Sequence, residues 1–147
     1  MKNLNSIPRE INLRQAILLG KDISNANLCD ADLQNTNLIG YDFINKDLTS
    51  INLRAASITG CDFTGAILRN GNLSGVKTDK IRTLQNKEAI VLLIGADLEQ
   101  ANLSGADLRK ADFTNSNLKN ANLKGATLEN ACFRNAILTG ANLEGAD

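Results

Sequence analysis

The side chains best suited to chemistry in this sequence are aspartates that recur one residue before a hydrophobic residue. They are Asp32, Asp42, Asp62, Asp97, Asp107 and Asp112. A pair twenty residues apart, such as Asp42 and Asp62, could do acid–base work or hold a cation if the fold placed the two carboxylates together. Their recurrence at one position of a regular pattern instead favours solvated or backbone-bonded carboxylates on an outer face.

Other catalytic groups are scarce. The chain has no histidine, which removes the commonest general base and metal ligand. Without histidine, no Ser-His or Cys-His nucleophile can form. The glycines follow a fivefold frame and form neither a phosphate loop nor a dinucleotide motif. We therefore predict that the protein is not an enzyme and has no cofactor, no catalytic residues and no metal site.

The three cysteines fall at three different positions of the pattern. Cys61 is predicted to face inward as a small apolar filler, whereas Cys29 and Cys132 are predicted to face solvent or the wall. An odd count without metal-ligand spacing argues against both a disulfide framework and a metal centre. The cysteines are therefore expected to be free thiols.

The pattern that positions all these residues has a period of five. Leucine or another hydrophobic residue occupies every fifth position from Leu13 to Leu73 and again from Leu98 to Leu143. A small residue usually precedes it by two positions, and from Ala96 onward this residue is alanine except at Ser116. A period of five matches neither the helix nor the alternating strand, so a repeat architecture is indicated.

The repeated units, such as ADLEQ, ANLSG and ADLRK from Ala96 onward, match the form A(D/N)LXX. In this the chain resembles the pentapeptide-repeat family, including its cyanobacterial members, over residues 11–75 and 96–147. The resemblance implies an all-β fold, a right-handed quadrilateral parallel β-helix with about six to seven coils of four pentapeptides each. It implies no particular function.

The inward-facing residues can be worked out from physical chemistry. If each unit turns the chain through a right angle, one residue per side points to the axis, where only apolar groups fit the dry interior. The small residue two positions earlier also points inward, and the polar residue between them faces out. The predicted core comprises Leu13, Leu33, Phe43, Leu53, Phe63, Leu73, Leu103, Phe113, Leu123, Phe133 and Leu143.

The phenylalanines indicate how many units make one coil. Phe43 and Phe63 are twenty residues apart, and so are Phe113 and Phe133. Coils stacked about 4.8 Å apart would place residues twenty apart directly above one another if four units form a coil. Each pair is therefore predicted to stack, which adds about 0.5–1.5 kcal/mol beyond area burial.

The fivefold pattern predicts a single domain over residues 1–147, which has four segments. Residues 1–10 are predicted to cap the first coil, 11–75 and 96–147 form two repeat arrays, and 76–95 interrupt them. Within the interruption, 79–90 are predicted to form a short helix that projects from the rod or packs on it. This segment is locally basic, so it is either a partner-binding protrusion or a tolerated insertion.

Departures from the repeat in the first array suggest a second recognition surface. Charged or bulky residues stand at the small inward position, where a dry core cannot hold an unpaired lysine, so either the wall bulges or the side chains reach outward. Apolar residues also occur at outward fourth positions, where a contact surface or coverage by the N-terminal segment would explain them. The candidate interaction residues of the first array are Leu19, Ile39, Ile44, Lys21, Tyr41 and Lys46, with Cys61 in the column of Lys21 and Tyr41, and those of the interruption are Lys80, Arg82 and Lys87.

Composition limits the partners and the location. Sixteen basic residues balance sixteen acidic ones, so no basic footprint for nucleic acid is present. No apolar stretch is long enough to span a bilayer, and no secretory signal is seen, which predicts a cytoplasmic protein. The last repeat has no capping helix after it, so we expect a monomer or a weak end-to-end dimer.

The function best supported by the sequence is a rigid, non-enzymatic scaffold for protein–protein interaction, with an unknown protein partner. The alternative comes from the resemblance alone. Quinolone-resistance members of the family imitate duplex DNA and bind gyrase, which requires a strongly negative face and a dimerising C-terminal helix. Neither feature is evident in this sequence.

Overall fold

The computed structural model describes residue 23 and residues 26–78 and 89–147. In these ranges the regular structure consists of isolated parallel β-bridges, one residue wide, with two-residue turns between them. Neither a helix nor a longer strand is assigned within the described ranges. Most of the predicted helix over 79–90, together with Leu13, Leu19 and Lys21, lies outside the described residues.

The bridges repeat with a register of twenty residues. Asp32 pairs with Asn52, and Asn52 pairs in turn with Asn72. The amide of Leu33 donates to the carbonyl of Asn52 at 2.8 Å, and the amide of Asn52 donates back to the carbonyl of Ala31 at 2.9 Å. Four pentapeptides therefore complete one coil, as the phenylalanine spacing predicted.

Each coil has four sides, which we call faces 1 to 4. Face 1 comprises 31–35, 51–55, 71–75, 101–105, 121–125 and 141–145. Face 2 comprises 36–40, 56–60, 76–78, 106–110, 126–130 and 146–147. Face 3 comprises 41–45, 61–65, 91–95, 111–115 and 131–135. Face 4 comprises 26–30, 46–50, 66–70, 96–100, 116–120 and 136–140.

Within each pentapeptide the first and third residues point inward, and the second and fourth point outward. The fifth residue forms the corner, where the backbone φ is positive. Glycine and asparagine dominate this position because they adopt that conformation at low cost, whereas Ala55 (φ 56°) adopts it against its intrinsic preference. The central carbonyl then accepts the amide three residues on, as from Ala31 to Leu28 at 3.1 Å.

The second residue holds this turn in place through its side chain. The Oδ1 atom of Asp62 accepts the amide of Thr64 at 2.9 Å, and Asn102 accepts the amide of Ser104 at 3.1 Å. This local bond explains why aspartate and asparagine recur there. It confirms the prediction of backbone-bonded carboxylates for Asp32, Asp42, Asp62, Asp97, Asp107 and Asp112.

The core consists of the central residues of the four faces, which stack in one column per face along the axis. From Leu33 to Leu123 the predicted core residues are buried. The rings of Phe43 and Phe63 stack with centroids 4.9 Å apart at 7°. Those of Phe113 and Phe133 stack at 4.6 Å and 5°, so both predicted pairs are confirmed.

The predicted core is wrong at one position near the last described coil. Leu143 is 41% exposed, and the preceding central residue of face 3, Phe133, is only partly buried. Both side chains lie in the last described coil, where the structure places a neighbouring coil on one side of them. Burial in this fold depends on neighbours above and below, not on the repeat position alone.

The interruption is narrower than the predicted 76–95. Lys77 pairs with Ser57 on one side of it, and Leu92 pairs with Asp62 on the other. The Asp62–Leu92 bridge spans thirty residues in place of twenty, so the insertion adds ten residues, which is two pentapeptides. The repeat therefore keeps its phase across the insertion, and the faces stay aligned above and below it.

Candidate functional site

The irregular inward residues of the first array leave the backbone ladder intact. The amide of Asp62 donates to the carbonyl of Tyr41 at 3.0 Å, and that of Ile67 donates to Lys46 at 2.9 Å. Tyr41 and Lys46 are both partly exposed, and the ring of Tyr41 lies 6.1 Å from that of Phe43. The backbone ladder therefore continues through these two residues, and the ring of Tyr41 packs against the core beside Phe43.

The cysteines are free and lie in three different environments. Cys61 is buried as predicted and its thiol donates to the carbonyl of Leu38 at 2.9 Å, while burial raises its pKa to about 12. Burial and the nearby charge of Asp47 raise the pKa of the half-buried Cys29. The Thr114 hydroxyl and a backbone amide lower the pKa of the exposed Cys132. No common thiol site results.

The apolar residues at fourth positions lie on two faces. Ile39 is half-buried on face 2, whereas Ile44 is 41% exposed on face 3. Lys80, Arg82 and Lys87 lie outside the described residues, as do Leu19 and Lys21. The described candidates Ile39, Tyr41, Ile44 and Lys46 lie on three consecutive faces of one coil.

Face 3 aligns Ile44 with residues that the sequence reasoning missed. Because the insertion adds ten residues, Ile94 stands two coils above Ile44, with Thr64 between them. We call Ile44, Thr64 and Ile94 the β-branched column. Together with Asp42, Asp62, Leu92 and Asp112, this column forms the surface that we call the face 3 strip. A search at an offset of fifty residues, which is two coils of twenty plus the ten inserted residues, would have paired Ile44 with Ile94.

Direct hydrogen bonds hold the coils of the strip together. The amide of Gly65 donates to the carbonyl of Ile94 at 2.8 Å, and that of Asn45 donates to the carbonyl of Thr64 at 2.9 Å. Neighbouring rows of the strip are thus one coil apart, about 4.8 Å. Ile90, which is 36% exposed, precedes Val91, the first residue of its coil on face 3.

The second positions of face 3 form an acidic column of Asp42, Asp62 and Asp112, which Leu92 interrupts. The Oδ1 atoms of Asp42 and Asp62 accept the amides of Ile44 and Thr64 at 2.8 and 2.9 Å. These bonds occupy one oxygen of each carboxylate. Two like charges one coil apart repel each other, and a cation placed over them would be attracted to both.

Polar groups on faces 1 and 4 pair within the rod. On face 1, the side-chain amide of Asn52 donates to Oδ1 of Asp32 at 3.2 Å, and the side-chain amide of Asn122 donates to Oδ1 of Asn102 at 3.3 Å. On face 4, Arg69 forms ion pairs with Asp97 and Glu99. These bonds link polar side chains of neighbouring coils on both faces.

Metal and membrane sites were also considered for the described residues. Across 26–78 and 89–147, no three His, Cys, Asp or Glu side chains gather in a way that could hold a metal ion. Within the part of the chain that the structure describes, no helix has the length and apolarity to cross a membrane.

The repeat pattern identifies the family. The family model of the pentapeptide repeats matches eight copies, at residues 9–43, 47–77, 92–130 and 116–147. This chain belongs to the pentapeptide-repeat family. No curated protein is detectably similar to it in sequence.

Several solved pentapeptide repeat proteins resemble the chain. HetL, involved in heterocyst differentiation regulation in the cyanobacterium Nostoc sp. strain PCC 7120, is 28% identical over 82% of this chain and 59% of its own, with a TM-score of 0.48. Rfr23 from the cyanobacterium Cyanothece 51142 is 29% identical over 95% of this chain and 81% of its own, with a TM-score of 0.42. A protein of the Arabidopsis thaliana thylakoid lumen is 31% identical over 78% and 63%, with a TM-score of 0.34. The chain thus spans 59% of the length of HetL.

Proposed function

We propose that this protein is a rigid, non-enzymatic scaffold that binds a protein partner through the face 3 strip. The observation that carries the proposal is the exposure of Ile44 on face 3, two coils below the half-buried Leu92 and Ile94, at outward positions where the fold does not need apolar residues. Apolar side chains grouped on an otherwise polar surface are typical of protein contact sites.

The backbone of the strip supports this role. Successive coils are joined by hydrogen bonds of 2.7–3.1 Å along face 3, and Phe63 and Leu93 behind the strip are fully buried. A surface that is already ordered loses little conformational entropy when a partner binds. The scaffold would therefore present its side chains at fixed spacing, without rearrangement.

Gyrase binding by imitation of DNA is less well supported. A DNA mimic needs continuous negative charge, and Leu92 interrupts the acidic column of face 3. Face 1 carries a largely neutral row of asparagines, from Asn52 through Asn72 and Asn102 to Asn142. Inhibition of gyrase supercoiling by the purified protein would favour the mimic over the scaffold.

The test is a quantitative pull-down from lysate of the native cells, with the double variant Ile44→Ser/Ile94→Ser. Loss of a partner that wild-type protein captures would support the strip as the binding surface. The matched control is Ile137→Ser, which removes an isoleucine that is 53% exposed on face 4. Equal capture by the double variant and wild type would contradict the proposal.

A deletion separates the strip from the inserted segment. Removing residues 79–88 takes out ten residues, which restores the register of twenty between Asp62 and Leu92. The deleted protein should fold and keep its partner if the strip alone forms the site. Retained circular dichroism with loss of the partner would move the binding site to the insertion.

A further inference from the structure

The spacing of the face 3 strip points to a particular partner, and this step rests on the proposed function. We infer that the strip binds a basic amphipathic helix of another protein, lying parallel to the axis of the coils. The structure presents two parallel columns, one β-branched and one acidic, and such a helix carries the two matching rows of side chains.

The apolar contacts set the direction of the helix. Ile44 and Ile94 are two coils apart, which is about 9.6 Å at the spacing of hydrogen-bonded strands. Residues seven apart on an α-helix are separated by about 10.5 Å along its axis, and residues three or four apart by about 4.5–6 Å. One apolar side chain of the helix therefore meets each row of the β-branched column.

An extended peptide fits the strip less well. Side chains on one face of a strand repeat about every 6.7 Å. This repeat does not match the coil spacing of about 4.8 Å, so an extended peptide already falls out of step with the strip at the second row. Backbone pairing would also require a free sheet edge, and the amides on either side of Thr64 and Ile94 already bond to neighbouring coils. A helix needs only the outward side chains.

Charge complementarity favours a basic helix. Asp42, Asp62 and Asp112 lie two residues before the fourth-position column, so their carboxylates flank the apolar row on one side. Over the described coils, face 3 carries three acidic residues, Asp42, Asp62 and Asp112, against one basic residue, Arg134. Lysines beside the apolar row of a helix would relieve the repulsion within the acidic column.

The experiment uses the full chain and a defined probe. The probe is a fluorescent helical peptide of about 18 residues, with leucines at i, i+4, i+7 and i+11 and lysines on both sides of the leucine row. A peptide with glutamates in place of the lysines tests the charge. A scrambled lysine peptide of the same composition tests the helical pattern, and fluorescence anisotropy reports affinity.

Three variants assign the contact. Ile44→Ser/Ile94→Ser should weaken binding by about tenfold or more, because two apolar contacts are lost. Asp62→Asn/Asp112→Asn keeps the turn acceptors, and should weaken binding by about threefold with a shallower salt dependence. Ile137→Ser should bind as wild type does. Circular dichroism of each variant verifies the fold.

Each outcome bears on the inference. It is supported if only the ordered lysine peptide binds and the losses follow the stated order. It is overturned if the scrambled or glutamate peptide binds equally well, if Ile44→Ser/Ile94→Ser has no effect, or if no saturable binding occurs. Self-association of the chain that Ile44→Ser/Ile94→Ser abolishes would give the strip to a second copy and also overturn it. A lysate partner lost in that variant, without peptide binding, would leave the proposed function standing while the helix inference fails.

Discussion

Faces 1 and 3 have the same backbone and opposite surfaces. On face 1, asparagines stack in a ladder in which side-chain amides of one coil bond to the next, as from Asn122 to Asn102. On face 3, Asp42 stacks on Asp62 and each accepts the amide of its own turn, and isoleucines stand at two fourth positions. Face 1 therefore carries side-chain bonds between coils at its second positions, whereas the carboxylates of Asp42 and Asp62 on face 3 stand one coil apart with the same charge.

The difference shows what the repeat fixes and what it leaves open. The turn needs an oxygen at the second position, which asparagine and aspartate supply equally well. The choice between them changes the charge of a face without changing the fold. Outward residues on one face of such a rod can therefore change to suit binding, while the other faces keep residues that serve the fold.

The largest expected effect comes from removing the core support of face 3. Phe113→Ala should lower the free energy of unfolding by about 3–5 kcal/mol, because a large buried side chain is lost and Phe133 loses its stacked partner. Phe113→Leu should cost only about 1 kcal/mol, since Leu93 fills the same column. Urea unfolding followed by circular dichroism measures both. Equal losses for the two variants would contradict the stacked column.

A leucine at a second position of face 1, as at Leu92 on face 3, should lower the free energy of unfolding by less than Phe113→Ala does. Asn102→Leu removes the acceptor for the amides of Ser104 at 3.1 Å and Asn122 at 3.3 Å. We expect a loss of about 1–3 kcal/mol in the free energy of unfolding. The control Asn102→Asp should be nearly neutral, because Asp97 accepts the same two kinds of bond from Glu99 and Asn117. If thermal unfolding shows Asn102→Asp to be less stable than Asn102→Leu, the bonds accepted by Asn102 do not stabilise face 1.

Corner glycines on the two faces should respond differently to alanine. Gly125 on face 1 has a φ of 63°, and no atom lies within 4 Å of the position that a Cβ would take. Gly125→Ala should therefore cost about 1 kcal/mol through the backbone alone. Gly65 on face 3 has a similar φ, but a methyl there would clash with Oδ1 of Asn45, so Gly65→Ala should cost more. If denaturant unfolding gives the same loss of stability for both variants, the Asn45 side chain moves away from the added methyl group without loss of stability.

The smallest expected effect makes face 3 resemble face 1. Asp62→Asn should raise the free energy of unfolding by about 0.5 kcal/mol, because it removes a like charge and supplies an amide that can donate to Asp42. The gain should shrink in high salt, where the repulsion is screened. Chemical denaturation at low and high ionic strength measures it. A gain that does not depend on salt would argue against repulsion between Asp42 and Asp62.

The sequence predicted the four-sided coil, because phenylalanines twenty residues apart stack on each other when four pentapeptides make one coil. It also predicted the buried thiol of Cys61. The strip was missed because Ile44 and Ile94 align only when the ten inserted residues are counted. The exposure of Leu143 was missed because the repeat position says nothing about whether another coil follows.

The most direct test of face 3 as the binding surface is a methyl NMR titration of isoleucine-labelled protein with the lysine-rich helical peptide. The account predicts saturable shifts of the Ile44 and Ile94 methyl signals, with the core residue Ile51 behind face 1 and the exposed Ile137 on face 4 unchanged. Shifts centred on Ile137, or none at Ile44 and Ile94 when binding saturates, would contradict it.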